Sequence, residues 1–203
     1  MTGVRLAEPA EIPTMAATLA AAHTDYEWAR WAFPGDPQER RRRLDGLMAL
    51  ALEATVPHGL VWVSDDLACV AIWGSPTPRP PVPGAAARAA AEAELLGADG
   101  PRLDEADAIT RPFHPTEPSW YLGTIGTRPD RRGHGLAAAV LRPVLDRCDR
   151  DRTPAFLETS STLNERLYER LGFVVTHRAI TPDGALPLTV MVRAPHRTVA
   201  TVS

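Results

Sequence analysis

Hydrophobic and polar positions follow a helical period over much of the N-terminal part of the chain. From about Ala10 to His23 the apolar residues recur at helical spacing, and a second helical pattern runs from about Gln38 to Ala54. Between them, the prolines, the glycine and the aromatic residues of 25–37, DYEWARWAFPGDP, break the pattern. We therefore expect two helices joined by a loop rich in side chains of the kind that recognise ligands.

The middle of the chain changes to a strand-like period and then to helix again. Residues 59–64, GLVWVS, and 67–74, LACVAIWG, flank the turn at Asp65 and Asp66 and predict a β-hairpin. Residues 74–84, GSPTPRPPVPG, contain five prolines and cannot continue a sheet or a helix. Alanine-rich sequence then predicts helices over 85–96 and 103–110.

The C-terminal part of the chain alternates strands with helices. The pattern predicts strands over 120–127, 154–160, 173–180 and 186–193, and helices over 133–149 and 163–171. Helices placed between strands indicate an α/β or α+β domain built on a central sheet. We expect one domain over residues 1–195 and a frayed tail over 196–203.

Composition narrows the class of protein. The hydrophobic fraction of 44% excludes disorder of the whole chain, and the net charge of −3 gives no reason to expect nucleic acid as a partner. The basic run Arg40 to Arg43 then reads as a solvated helix face. Cys69 and Cys148 have neither metal-ligand spacing nor a disulfide framework, so no metal site is expected. No apolar run approaches the roughly 20 residues that span a bilayer, and a reducing cytoplasm fits best.

The stretch 127–140, TRPDRRGHGLAAAV, joins a predicted strand to a predicted helix through two glycines. A helix that begins at Gly133 and Gly135 without a side-chain cap leaves backbone N–H groups free to bind an anion. These glycines let the backbone approach a pyrophosphate closely, and Arg132 adds positive charge at the same end. The pattern therefore fits a phosphate-binding turn, but also an ordinary glycine-containing connection.

Two motifs in order resemble the GNAT superfamily of acyl-CoA-dependent N-acyltransferases. Residues 131–137, RRGHGLA, fit the signature Arg/Gln-x-x-Gly-x-Gly/Ala, with Arg132, Gly135 and Ala137 at the signature positions. Residues 157–173, LETSSTLNERLYERLGF, resemble the second cofactor-binding segment of the superfamily. Within the superfamily, the chain is most similar to puromycin N-acetyltransferase and related antibiotic-modifying members.

This resemblance implies the GNAT fold, an α+β arrangement in which a mixed central sheet with a splayed strand pair is flanked by helices on both faces. It implies acetyl-CoA as cofactor, with coenzyme A as product. The pantetheine arm would pair with the splayed strand, and the pyrophosphate would bind at the glycine turn. The cofactor-binding residues that it implies are Ile125, Gly126, Thr127, Arg132, Gly133, His134, Gly135, Leu136, Ala137 and Asn164.

The catalytic residue that the resemblance implies is Tyr168, the counterpart of a tyrosine that protonates the departing thiolate of coenzyme A. A phenol can do so because its ordinary pKa of about 10 keeps it protonated at neutral pH. Tyr168 lies one helical turn after Asn164 and on the same face. Without the resemblance, Tyr168 would be typical of core packing and Asn164 of a helix cap.

The acceptor side is open at the level of sequence. Glu117, Glu158, His114 and Tyr26 are alternative bases or members of a water relay that deprotonates the amine. Aromatic residues could shape an acceptor pocket, or could be ordinary core. The predicted substrate-binding residues are Tyr26, Trp28, Trp31, Trp73, His114, Glu117, Tyr121 and Glu158.

The function expected from these observations is N-acetylation of a primary amine on a small molecule, plausibly an antibiotic or aminonucleoside. The alternatives are a catalytically silent acyl-CoA-binding sensor and an N-acetyltransferase of peptides or proteins. We expect no nucleic-acid or membrane partner, and a monomer or a homodimer.

Overall fold

The computed structural model describes residues 3–196, so the predicted tail at 196–203 lies outside the described residues from 197 onward. The strands are β1 Val4–Leu6, β2 Val61–Ser64, β3 Cys69–Gly74, β4 Trp120–Thr127, β5 Ala155–Thr159, β6 Val174–Ile180 and β7 Pro187–Arg193. They form one mixed sheet in the order β1-β2-β3-β4-β5-β7-β6, in which only the β4–β5 pair is parallel. The predicted α+β class with a mixed central sheet is confirmed.

The helices cover both faces of this sheet. They are α1 Ile12–His23, α2 Glu27–Ala32, α3 Pro37–Thr55, α4 Ala85–Leu96, α5 Gly100–Thr110, α6 Leu136–Asp151 and α7 Thr162–Arg170. Side chains of β3 alternate between two cores: Ala71 packs with α6, whereas Val70 and Ile72 pack with α1 and α3. Because successive side chains of a strand point to opposite faces, α6 and α1 lie on opposite sides of the sheet. None of the helices in the described part of the chain is long and apolar enough to cross a membrane.

The segment 25–37 differs from its prediction as a loop, because Glu27–Ala32 forms the short helix α2. Ala29 and Ala32 are fully buried in a core cluster that also holds Phe33 and Leu44. Tertiary packing of one helical face has therefore overridden the turn signals of the flanking prolines and glycine.

The helix predicted over 133–149 begins later, at Leu136. Gly133 and Gly135 have φ angles of 81° and 74°, in the left-handed region that favours glycine. The chain turns at these two residues and enters α6 directly afterwards. This geometry places an uncapped helix start at the end of β4.

Candidate active site

Strand β4 presents a free edge over its second half. Its parallel pairing with β5 joins Trp120–Leu122 to Ala155–Leu157 and ends there, although β4 continues to Thr127. On its other edge, β4 pairs with β3, with an irregularity opposite Ile72 and Trp73. The two central strands therefore diverge, and the β4 backbone from Gly123 onward faces an opening that an extended ligand can enter as an added strand.

Gly126 has a packing role on this strand. A β-carbon at Gly126 would lie 2.8 Å from Cβ of Ala22 and 3.0 Å from Cδ2 of Leu19, both on α1. The missing side chain therefore lets α1 approach β4 closely. The small size of Gly126 thus serves the packing of α1 against β4, while its backbone lines the opening.

The turn after β4 exposes backbone donors. Within residues 3–196, the N–H groups of Gly133, His134 and Gly135 donate no hydrogen bond, and no side chain caps α6. The first turn of any α-helix also leaves its N–H groups without intrahelical acceptors. A β-carbon at Gly133 or Gly135 would meet nothing within 4 Å, so open space adjoins these donors. Such a turn suits a phosphate group.

Arginine side chains surround this turn. Nη2 of Arg132 donates to the carbonyl oxygen of Ala22 at 2.9 Å, which ties the turn to the end of α1. Nη1 of Arg131 lies 2.7 Å from Oδ2 of Asp66. Arg131 and Arg132 both line the opening, as does Arg170 of α7. The positive charge of this end thus adds to the effect of the free amides.

Helix α7 places Asn164 and Tyr168 beside the same opening. Tyr168 is 5% exposed, and its hydroxyl makes no hydrogen bond to any other residue within 3–196. Burial, together with the nearby phenol of Tyr26 and thiol of Cys69, raises the pKa of Tyr168 well above its ordinary value. The phenol is therefore protonated at neutral pH and has a proton to donate.

Glu158 is held by two partners where β5 leaves β4. Its Oε1 lies 3.0 Å from Nε2 of His114, and its Oε2 accepts a hydrogen bond from the Tyr121 hydroxyl at 3.2 Å. Burial, followed by the charge of Glu158, raises the pKa of Tyr121 well above its ordinary range. Tyr121 therefore acts here as a hydrogen-bond donor that orients the carboxylate.

A single cavity of about 1930 Å³ joins these features. Its lining includes the β4 edge, the glycines of the 133–135 turn, Asn164 and Tyr168, and it also includes Tyr26, Trp28, Tyr121 and Glu158 together with residues of α3, α4 and α5. Carboxylates of Asp104, Asp107 and Glu158 line the cavity, as do the guanidinium groups of Arg30, Arg79, Arg88, Arg131, Arg132 and Arg170. The cavity therefore contains groups that can bind an anion and groups that can bind a cation.

Five predicted site residues do not reach the cavity directly. Trp31 is buried and donates from Nε1 to Oδ2 of Asp183 at 2.9 Å, and Trp73 is 1% exposed against Trp120. Glu117 is exposed to solvent on the segment before β4. His134 is also exposed to solvent and does not line the cavity. His114 lies behind Glu158. The pocket assignment is thus corrected for Trp31, Trp73 and Glu117, because their side chains pack or point elsewhere.

Two polar residues that line the cavity were not predicted from the sequence. Thr159 and Ser160 follow Glu158 at the end of β5, line the cavity and are 5% and 6% exposed. The Ser160 hydroxyl has no hydrogen-bond partner within the described chain. Their position at the end of a predicted strand, directly after a candidate base, is a signal that could have identified them.

Comparison with known proteins agrees with this geometry. A family model described as the acetyltransferase (GNAT) family matches residues 103–173. An uncharacterized N-acetyltransferase from Schizosaccharomyces pombe is 34% identical over 79 residues, which are 38% of this chain and 32% of the yeast protein. The match thus spans about a third of the length of that relative.

Solved structures extend the likeness to almost the whole chain. A structure described as histone acetyltransferase HPA2 and related acetyltransferase from Corynebacterium glutamicum is 26% identical, with a TM-score of 0.72, and the match covers 98% of this chain and 100% of the other. A polyamine N-acetyltransferase from Drosophila melanogaster shares the fold at 16% identity and a TM-score of 0.59, over 96% of this chain and 100% of the other. Together, these findings show that residues 103–173, which contain both motifs, match the acetyltransferase (GNAT) family and that the chain as a whole shares the fold of solved acetyltransferases.

Proposed function

We propose that the protein transfers the acetyl group of acetyl-CoA to a primary amine of a small molecule. The observation that carries this proposal is the continuity, within one cavity, of the free β4 edge and the free amides of the 133–135 turn. Coenzyme A combines an amide-containing arm with a pyrophosphate, so it matches a strand edge that leads to an anion-binding helix start. Asn164 would hold the pantetheine arm from the side of α7.

Acetyl-CoA supplies an activated acyl group. The amine nitrogen forms a C–N bond to the carbonyl carbon, and the C–S bond breaks. The sulfur leaves with the electron pair and gains a proton, and the amine loses one. Tyr168 would donate the proton to sulfur, because its hydroxyl is unbonded within the described residues and its raised pKa keeps it protonated. The cavity wall around Tyr121 and Glu158 would hold the amine against the acetyl donor, and this positioning would supply much of the acceleration.

Among the alternative bases, the geometry favours Glu158. Its carboxylate lines the cavity and each oxygen keeps lone pairs beyond the one that His114 or Tyr121 engages. Tyr26 already accepts a backbone N–H, and Glu117 lies outside the cavity. Glu158 would therefore accept the amine proton, with His114 as a relay behind it.

The aromatic and acidic side chains of the cavity would suit a flat amine with positive charge. Tyr26, Trp28 and Tyr121 supply aromatic surface, and the carboxylates of Asp107 and Glu158 suit an ammonium group. The Drosophila relative forms N-acetylagmatine, an acetylated small cation. We propose that the acceptor is an aromatic or nucleoside-like primary amine, and puromycin is the first compound to test. The proposed role is antibiotic resistance in the cytoplasm.

The test is a mass-spectrometric search for acetylated products after incubation with acetyl-CoA. Aminonucleosides, arylalkylamines, polyamines, aminoglycosides and N-terminal peptides are compared at equal concentration, with kcat/KM determined for each product. Preference for aminonucleosides or other aromatic amines supports the proposal. Preference for peptides would point to protein acetylation, and binding of acetyl-CoA without any product would point to a sensor.

A further inference from the structure

Tyr26 and Thr159 join the start of α2 to the end of β5. The Tyr26 hydroxyl lies 3.1 Å from Oγ1 of Thr159 and accepts a hydrogen bond from the Ser160 backbone N–H at 3.1 Å. Oγ1 of Thr159 accepts a further bond from the Ser161 N–H at 3.3 Å. This pair lines the cavity just beyond Leu157, the last β5 residue that pairs with β4.

Counting the hydroxyl protons of this pair shows that one O–H group has no acceptor. The two hydroxyls carry one proton each, and their mutual contact uses one of them. The other two contacts are made by backbone N–H groups, which use oxygen lone pairs and no hydroxyl proton. Within the described residues, one O–H of the pair is therefore without an acceptor.

Tyr26 is better placed than Thr159 to offer this proton to a ligand. Thr159 is 5% exposed and holds the Ser161 N–H, whereas Tyr26 is half-buried with its ring in the cavity wall. When the Thr159 hydroxyl donates to Tyr26, the phenol oxygen is saturated by Thr159 and Ser160, and only its proton is available. Tyr26 then cannot serve as a base and can serve as a donor.

The neighbourhood of Tyr26 indicates which ligand atom the proton meets. Tyr26 and Tyr168 line the same cavity, and Ser160, whose N–H the Tyr26 phenol accepts, lies two residues before the helix α7 that carries Tyr168. Under the proposed function, on which this inference rests, Tyr168 faces the sulfur of the thioester. The carbonyl oxygen and that sulfur are bonded to the same carbon, so a second donor in the same part of the cavity can approach that oxygen.

We propose that Tyr26 is a catalytic residue whose phenol donates a hydrogen bond to the thioester carbonyl oxygen of the acetyl donor. Negative charge grows on this oxygen as the amine adds, so a fixed donor there stabilises the transition state more than the bound thioester. Loss of one such donor lowers kcat by about 100-fold in comparable enzymes. The affinity for acetyl-CoA changes little, because a neutral carbonyl gains less from the bond.

The test measures the carbonyl stretch of bound acetyl-CoA by isotope-edited infrared spectroscopy, in the absence of an amine. In Tyr26→Phe the band moves to higher wavenumber than in the parent, kcat falls about 100-fold, and the Kd of acetyl-CoA stays within about threefold. Thr159→Val removes the hydroxyl that orients the phenol but keeps the phenol itself, so its band moves in the same direction as in Tyr26→Phe and by less. A fluorinated tyrosine at position 26, a stronger donor with the same contacts, moves the band to lower wavenumber.

An unchanged band in Tyr26→Phe overturns this inference, as does a band that moves in Thr159→Val and not in Tyr26→Phe. The fluorinated variant decides the question if Tyr26→Phe does not fold, because an unmoved band there is equally contrary. Failure of the parent protein to bind acetyl-CoA would instead refute the proposed function. The two failures are thus distinguishable.

Discussion

Replacing Gly135 by alanine is expected to weaken coenzyme A binding while the protein stays folded. Gly135 precedes α6 with φ at 74°, and a β-carbon there would meet no atom within 4 Å. The cost to the free energy of unfolding is then the left-handed backbone strain alone, about 1–2 kcal/mol for a non-glycine residue. A domain with ordinary stability tolerates this loss.

The same substitution should weaken the binding of coenzyme A, since the new β-carbon projects into the space beside the free amides. A hydrogen bond to a charged group contributes about 1.5–3 kcal/mol. Displacing the pyrophosphate from one amide should therefore raise the Kd of coenzyme A by roughly 10- to 100-fold. Isothermal titration calorimetry measures this change.

Gly184 offers a matched control for this experiment. It has φ at 70°, its β-carbon would also meet nothing within 4 Å, and it lies in the β6–β7 turn away from the cavity. Gly184→Ala should cost about the same 1–2 kcal/mol in chemical denaturation and leave the Kd of coenzyme A unchanged. Equal affinities of the two variants would refute the assignment of the 133–135 turn to the pyrophosphate.

Three further predictions concern α7 and β5. Tyr168→Phe should lower kcat by about 10²-fold under conditions where chemistry limits the rate, with unfolding free energy and acetyl-CoA affinity unchanged; an unchanged kcat would exclude the general-acid role. Glu158→Gln should lower kcat/KM by at least about 10²-fold and keep acetyl-CoA affinity, and calorimetry with stopped-flow assays checks both. The hydrogen bond from Arg178 holds the pKa of Glu165 below its usual range. The pair therefore stabilises the fold at pH values above the ordinary carboxyl pKa, and this stabilisation is lost as the pH falls through the lowered pKa. Glu165→Gln should therefore lose stability at neutral pH and show a flatter acid limb in pH-dependent denaturation, whereas an unchanged acid limb would contradict the linkage.

The sequence predicted the uncapped helix start at the 133–135 turn because local chemistry determines it. Two glycines between a strand pattern and a helix pattern lead to positive φ and to an uncapped helix start, and both are present at Gly133 and Gly135. The start of the helix was placed too early because the same glycines extend the apparent helical sequence. The divergence of β4 from β5 came from the family resemblance, since no periodicity encodes where two parallel strands part.

The cavity wall around Tyr26 was harder to predict than the 133–135 turn because it depends on long-range packing. Trp31 and Trp73 are residues of a type common in binding pockets. In the structure, however, Trp31 contacts Asp183 in the β6–β7 turn, and Trp73 packs against Trp120 in the core. The pairing of Tyr26 with Thr159 joins residues far apart in sequence. Such contacts follow from the placement of α2, which the sequence pattern presented as a loop.

The most direct test of the central claim is the acetyl-transfer assay with purified protein, acetyl-CoA and a panel of primary amines, read by mass spectrometry of the amine. We expect an acetylated small amine, with the highest kcat/KM among aromatic or nucleoside-like compounds, and a large loss of that product in Tyr168→Phe. A protein that binds acetyl-CoA and acetylates no amine, or one that acetylates peptides in preference to every small amine, would contradict it.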